Sequence, residues 1–193
     1  GDVYKRQLLF YAGWELIIVG LLCVLFAFLY TTGPYPLSYN GWGDVLVIVF
    51  FGFVPVGGTY YVQALTWTSD TTVASLICGL LIDTLLVVNN YRDREADARS
   101  GKRTVIVRFG EKFGRYLYLM LGVAASLLCF WFFFEGHLFA ALLPLLYLIP
   151  HVLTWRRMVQ IHSGKKLNSI LGETSRNMLL MGILLSIGFL IRH

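Results

Sequence analysis

The residues with the most chemical potential lie between Asn89 and Thr104, where Asn-Asn-Tyr-Arg-Asp-Arg-Glu-Ala-Asp runs into Ala-Arg-Ser-Gly-Lys-Arg-Thr. On a helix, Asn89, Asp93 and Asp97 recur every four residues and share one face. Two carboxylates one turn apart repel by about a few tenths of a kcal/mol, and a cation held between them reverses that sign. Mg²⁺ takes oxygen ligands, commonly one or two carboxylates together with water and substrate phosphates. Asp93 and Asp97 are therefore candidate catalytic and metal-binding residues, and the pattern suits a metal-bound diphosphate. Arg92, Lys102 and Arg103 are placed to take up remaining phosphate charge, arginine by two parallel hydrogen bonds. The same stretch also fits a solvated charged segment, with Glu95–Arg99 and Arg94–Asp97 as ordinary helix pairs. Gly101-Lys102 does not make a nucleotide-binding loop, because no glycine stands five residues upstream and no strand precedes it.

The elements that must position these residues are apolar. Of 193 residues, 57% are hydrophobic and 14% charged, against roughly 25% charged in soluble domains. Six apolar blocks are readable, at 8–30, 45–62, 71–90, 113–134, 138–155 and 175–191. Each is near the ~20 residues a helix needs to cross a ~30 Å hydrocarbon core. Backbone groups without water must bond within their own segment, so the blocks predict helices rather than barrel strands. An all-α membrane protein follows: one multi-spanning bundle over residues 1–193 with six transmembrane helices, seated in the lipid bilayer. Glycines recurring in the blocks, such as Gly52, Gly79 and Gly188, predict close helix contacts.

Six spans place the loops at 31–44, 91–112 and 156–174 on one side. Of the 16 Lys and Arg residues, all but Lys5, Arg6 and Arg192 fall on that side. The positive-inside rule then makes it cytoplasmic, and the expected location is the inner (cytoplasmic) membrane. Basic charge confined to short loops between spans argues against a nucleic-acid partner. Cys23, Cys78 and Cys129 lie far apart inside apolar blocks, and the four histidines are scattered, which supports neither disulfides nor a zinc site. His151 reads as a hydrogen-bonded bundle histidine. Glu15, Glu173 and Asn177 read as interfacial or bundle polar groups.

Two further features bear on the charged segment. The loop from Tyr30 to Tyr39 carries Gly33, Pro34, Pro36 and three tyrosines, a stiff non-helical connection. It fits either an interfacial aromatic belt or the wall of a cavity on the side of the basic loops. Asp83, inside the third block, lies on the same stripe as Asn90 and Asp97. It fits a protonated group bonded within the bundle at a cavity floor, and an intramembrane carboxylate is also a functional candidate by default.

Asn89-Asn90-Tyr-Arg92-Asp93-x-x-x-Asp97-x-x-x-Gly101-Lys102-Arg-Thr104 resembles the second Asp-rich motif of the UbiA superfamily of intramembrane prenyltransferases. Its Asn-Asn-x-Arg-Asp form is similar to the 1,4-dihydroxy-2-naphthoate polyprenyltransferase branch. Tyr30-Thr-x-Gly-Pro-x-Pro-Leu-x-Tyr39-x-Gly-x-Gly-Asp44 resembles that branch's signature after its fourth helix. The resemblance implies a nine-helix bundle around a cytoplasm-facing cavity, to which this chain contributes helices four to nine. It also implies an N-terminally incomplete chain, lacking the first Asp-rich motif and the independent activity that motif would support. The implied partners are polyprenyl diphosphate and 1,4-dihydroxy-2-naphthoate, and the implied cofactor is Mg²⁺ on Asp93 and Asp97. Asn89, Asn90, Arg92, Lys102, Arg103, Tyr30 and Tyr39 are implied to bind substrate. The implied reaction, in menaquinone biosynthesis, ionises an allylic diphosphate and lets the naphthoate ring capture the prenyl group with loss of CO₂. Another aromatic acceptor would keep the same residues. A transporter would instead call for inverted repeats or paired broken helices, which the sequence does not show.

Overall fold

The computed structural model describes Gln7 and residues 11–191, and all of the described structure is helical or loop. Among the described residues seven helices follow one another, with a 3₁₀ turn at Leu37–Tyr39 between the first two: α1 Glu15–Thr31, α2 Gly43–Ala64, α3 Ser69–Arg99, α4 Val105–Phe109, α5 Glu111–Phe134, α6 Leu138–Ile161 and α7 Lys165–Leu190. Five of them (α2, α3, α5, α6 and α7) are long and apolar enough to span a bilayer. The sixth expected span is represented by α1, which is shorter at 17 residues. The start of its block at Leu8, and Lys5, Arg6 and Arg192 of the charge argument, lie outside the described residues.

The third apolar block ends well before its helix does. The third block stops at Asn90, yet α3 runs unbroken to Arg99, 31 residues in all. At 1.5 Å per residue that is about 46 Å, well over a ~30 Å hydrocarbon layer. The last turns of α3 therefore stand clear of the apolar zone, and Asn89, Asp93 and Asp97 do lie along one helical face. Thr68 starts the helix, its hydroxyl accepting from the Thr71 amide at 3.2 Å.

Small residues set how closely the helices pack. A Cβ on Gly52 would lie 2.5 Å from the Ser75 carbonyl oxygen, and one on Gly79 would lie 2.9 Å from the Ile48 Cα. The α2 and α3 backbones thus touch, as glycine permits in lipid. Around Pro55, residues Ile48–Gly57 of α2 widen into π-helical turns, the adjustment expected where proline removes an amide donor. Gly188 brings α7 equally near Ala140 of α6, 2.5 Å from a built Cβ to the Ala140 Cα.

Two buried clusters fill the bundle. One holds Val87, Val88, Tyr91, Ile106 and Met158 near the charged end; the other holds Ile77, Leu81, Phe132, Ala140 and Met181. Between them His151 stacks between Tyr118 and Tyr147, with ring centroids 4.7 and 5.0 Å away. Its Nδ1 pairs with the Tyr147 hydroxyl at 2.9 Å and its Nε2 with the Leu119 carbonyl at 3.2 Å. The carbonyl only accepts, so Nε2 carries the proton and Nδ1 accepts from the tyrosine. This is the satisfied bundle histidine expected from sequence.

The α2–α3 contact sets a stability test. Gly52→Ala and Gly79→Ala each force backbone apart and should cost about 1–3 kcal/mol, a drop of several degrees in the melting temperature in detergent. Gly182→Ala, with nothing within 4 Å of the new methyl, should leave it unchanged. Equal behaviour of all three variants would contradict the packing.

Candidate active site

The end of α3 is shaped by a backbone device that the sequence motif conceals. Ser100 closes the helix, and Gly101 follows with φ +78°. The Lys102 amide turns back to the Asp97 carbonyl at 2.9 Å, and the Gly101 amide reaches the Ala98 carbonyl at 3.3 Å. This paired return is a Schellman cap, which requires a left-handed residue and so favours glycine. It also folds the Lys102 side chain back over the helix, with Nζ 3.4 Å from Asp97 Oδ2. Thr104 then caps α4, its hydroxyl accepting from the Val107 amide at 3.3 Å.

Arg92 organises the other half of the charged face. Its Nε and Nη2 grip Asp93 Oδ1 and Oδ2 at 2.7 and 2.6 Å, Nη2 also meets Asn89 Oδ1 at 2.7 Å, and Nη1 meets Asn168 Oδ1 at 2.9 Å. The guanidinium therefore ties two turns of α3 to the start of α7. The expected Arg94–Asp97 pair does not form. Arg94 donates instead to the Tyr91 carbonyl at 2.7 Å and to Glu111 at 3.3 Å. Glu111, which sequence reasoning passed over, also accepts from the buried Tyr91 hydroxyl and from Arg115, and lies 3.0 Å from His162 Nε2. It fixes the base of the α3 terminus, and its only sequence signal was an acid in the first turn of α5.

The Tyr30–Tyr39 loop forms the opposite wall. The Arg103 amide donates to the Tyr39 carbonyl at 2.7 Å, and Arg108 Nη2 donates to the Asn40 carbonyl at 2.7 Å. A Cβ on Gly41, whose φ is +80°, would come within 3.0 Å of the Arg103 carbonyl. Of the two expectations for this loop, the cavity wall is the one the structure draws. A polar pocket of ≈ 60 Å³ lies between, lined among others by Tyr30, Ser38, Asp44, Asn89, Asn90 and Lys102. Through Leu86 and Asn89 it adjoins a groove of ≈ 500 Å³ whose walls include Phe51, Leu85 and Leu171. A second apolar cavity, ≈ 490 Å³ between α1 and α2, shares Tyr30 with the polar pocket.

The predicted residues therefore divide. Tyr30, Asn89, Asn90 and Lys102 share the pocket wall, while Arg92, Asp93 and Asp97 stand on the adjacent turns of α3. Arg103 and Tyr39 differ from expectation: both side chains are exposed, and they meet only through the backbone. The loop docks by main-chain bonds, so those side chains are left pointing out. Asp44, the last residue of the loop motif and a functional candidate that sequence reasoning missed, lines the pocket with a buried Oδ1 that has no hydrogen-bond partner. Asp83 is buried, lies within electrostatic reach of Asp44, and its Oδ1 also lacks a partner. It does not line the pocket, so the cavity-floor expectation does not hold for its side chain.

The donor set fits a hard cation. Asp97 Oδ2 is buried and accepts no hydrogen bond. Each Asp93 oxygen receives a single Arg92 contact, which leaves further lone pairs free. No group of three or more His, Cys, Asp or Glu side chains forms a complete cage among the described residues. An ion held here would need phosphate oxygens as well as carboxylates, the usual habit of Mg²⁺.

The UbiA prenyltransferase family pattern matches residues 7–188. The chain belongs to this family. It is 38% identical over 181 residues to a 1,4-dihydroxy-2-naphthoate octaprenyltransferase of Haemophilus influenzae, covering 90% of this chain and 56% of that protein. It is 40% identical over 113 residues to the enzyme of that name in Escherichia coli, covering 58% of this chain and 36% of the relative. It is 30% identical over 162 residues to a UbiA prenyltransferase domain-containing protein of Dictyostelium discoideum, covering 84% of this chain and 48% of the relative. The chain thus spans about half the length, or less, of these relatives. No solved structure matches it at a significant level. Within this UbiA chain, the two quoted motifs are the two walls of one pocket.

The cap is directly testable. Gly101→Ala leaves open space around the methyl but strains a left-handed position by about 1–2 kcal/mol. Amides 101–103 should then exchange hydrogen faster while those of 75–90 keep their protection. Unaltered exchange at 101–103 would show that the cap does not depend on the glycine.

Proposed function

We propose that this protein transfers a polyprenyl group from polyprenyl diphosphate to 1,4-dihydroxy-2-naphthoate, with decarboxylation, in menaquinone biosynthesis. The observation that carries the reading is the junction of a polar pocket, flanked by Asp93, Asp97 and Lys102, with an apolar groove of ≈ 500 Å³. A prenyl diphosphate has the same division into a highly charged head and an apolar tail. The acceptor is that in the name of the Haemophilus influenzae and Escherichia coli relatives.

Asp93 and Asp97 would hold Mg²⁺, which when bound would neutralise charge on the diphosphate as the allylic C–O bond breaks. Lys102 faces the same leaving group as a point charge, and the Asn89 and Asn90 amides orient its oxygens. The bond's electron pair leaves with diphosphate, and the ring carbon bearing the carboxylate attacks the allylic carbon. Loss of CO₂ then returns electrons to the ring. Carbocations are captured by water, so the apolar walls at Phe51, Leu85 and Leu171 serve to keep the reacting carbon dry. Arg92 acts at one remove, fixing Asp93 and Asn89 in register.

The loop ends at 31–42, 100–110 and 162–168 lie together, joined by the Arg103–Tyr39, Arg108–Asn40 and Arg92–Asn168 contacts. With their excess of Lys and Arg, this end is assigned to the cytoplasm and the protein to the inner membrane. A single bundle domain, supplying helices four to nine of a nine-helix fold, is part of the same proposal.

In membranes containing the full-length protein, Asp93→Asn and Asp97→Asn should each lower Mg²⁺-dependent prenylation of 1,4-dihydroxy-2-naphthoate by about 10²-fold or more. Near-normal turnover by either variant would overturn the metal assignment. Lys102→Gln should weaken prenyl diphosphate binding and leave acceptor affinity unchanged. Turnover with 4-hydroxybenzoate alone would replace the naphthoate acceptor.

A further inference from the structure

The α6–α7 pair carries a second polar site that prenyl transfer does not use. A groove of ≈ 490 Å³ opens between the last turns of α6 and the first half of α7, with Arg156, Arg157 and Arg176 beside Pro150 and Leu153. Two contacts set its level: Asn177 Nδ2 donates to Thr154 Oγ1 at 2.9 Å, and Arg157 Nη1 meets Glu173 Oε1 at 2.5 Å. The apolar blocks 138–155 and 175–191 both stop at this level. The guanidiniums therefore sit where hydrocarbon gives way to headgroups.

Charge and shape both point to an amphiphilic anion. Three arginines face one carboxylate, and Glu173 is taken by Arg157. Among the described residues Arg156 and Arg176 have neither an ion pair nor a hydrogen bond, and both are exposed. On α6 the groove continues into a stripe of exposed apolar side chains, Leu146, Ile149 and Leu153, at the spacing of one helix face. A free phosphate would use the arginines alone, whereas a lipid would also lay an acyl chain along this stripe. The site is also on the far side of α7 from the candidate active site, whose groove is lined by Leu171, Gly172 and Ser175.

We propose that this groove binds an anionic phospholipid of the leaflet on the basic-loop side. Its phosphate lies between Arg156 and Arg176, and one acyl chain runs along Leu153, Ile149 and Leu146. Arginine suits the phosphate because its fork gives two parallel hydrogen bonds, and basic pockets between spans at this leaflet are the usual form of headgroup site.

The test uses the protein extracted from bilayers of equal phosphatidylglycerol and phosphatidylcholine, with co-purified lipid counted by native mass spectrometry. Retention of one phosphatidylglycerol per chain is expected, enriched about thirtyfold over phosphatidylcholine as befits two cationic contacts. The double variant R156Q/R176Q should lose the enrichment. K112Q/K165Q, which removes the same charge at exposed positions elsewhere on that end, should keep it. Unchanged enrichment in R156Q/R176Q, or equal loss in both double variants, would overturn the site. Thermal stabilisation of the wild type by millimolar inorganic phosphate to the extent given by phosphatidylglycerol would mean a free-anion site instead. Displacement of the lipid by prenyl diphosphate would make the groove a substrate site and likewise refute the proposal.

Discussion

Carboxylates cannot stand in hydrocarbon without compensation, and the length of α3 is what removes Asp93 and Asp97 from that constraint. A 31-residue helix outreaches the apolar layer by about ten residues' rise. The excess is not left as a frayed end. Arg92 joins it to α7, Glu111 joins its base to α5, and the Schellman cap returns the chain so that Lys102 faces Asp97. A part-exposed ion pair such as Arg92–Asp93 is worth only about 0–1 kcal/mol by itself. Its value here is positional, since several weak contacts on one rigid helix hold the carboxylates and cations within one turn of each other.

The pocket depends on two loops more than on two helices. The proline-rich connection after α1 docks against the α3–α4 turn through main-chain bonds at Tyr39 and Asn40. Main-chain docking fixes where the loop lies whatever side chains it carries. This explains why Tyr30 and Ser38 reach the pocket while Tyr39 does not. Gly41 allows the approach, and Pro34 and Pro36 limit the conformations the loop gives up on docking.

Much of this was legible in the sequence because membrane helices obey strict rules. The blocks at 45–62 and 71–90 mark α2 and α3 through apolarity alone, and the four-residue spacing of Asn89, Asp93 and Asp97 gives their shared face. What stayed hidden were interactions without periodicity. Hydropathy reports where lipid stops and not where the i to i+4 bonds stop, so the end of α3 at Arg99 is not marked by its apolar block, although the shared face of Asn89, Asp93 and Asp97 requires a helix that runs past Asn90. The Arg92 fork bonds its immediate neighbour Asp93, a pairing that helix spacing rules do not anticipate, and Glu111 is twenty residues from Tyr91. Arg103, expected beside phosphate, has its backbone pinned by Tyr39 and its side chain exposed, outside the lining of the polar pocket.

The distribution of unsatisfied polar atoms separates the bundle into two functional halves. Among the described residues, buried side-chain oxygens without a hydrogen-bond partner occur on Asp44, Ser75, Asp83 and Asp97, all of them on α2 and α3. In α5, α6 and α7 the buried polar groups answer one another: Tyr118 with Thr174, Asn177 with Thr154, His151 with Tyr147. A buried oxygen left unpaired costs about 1–3 kcal/mol, so leaving Asp44, Ser75 and Asp83 unpaired in one helix pair, beside an Asp97 oxygen met only by the Lys102 ammonium, is expensive unless something binds there. The glycine contact between α2 and α3 gives these groups no side chains to pair with, while the satisfied half supplies a rigid support. The helix pair that bears the charged motif is thus also the pair that keeps unpaired buried oxygens, at Asp44, Ser75 and Asp83, which is the arrangement expected of a ligand-binding wall rather than of a structural one.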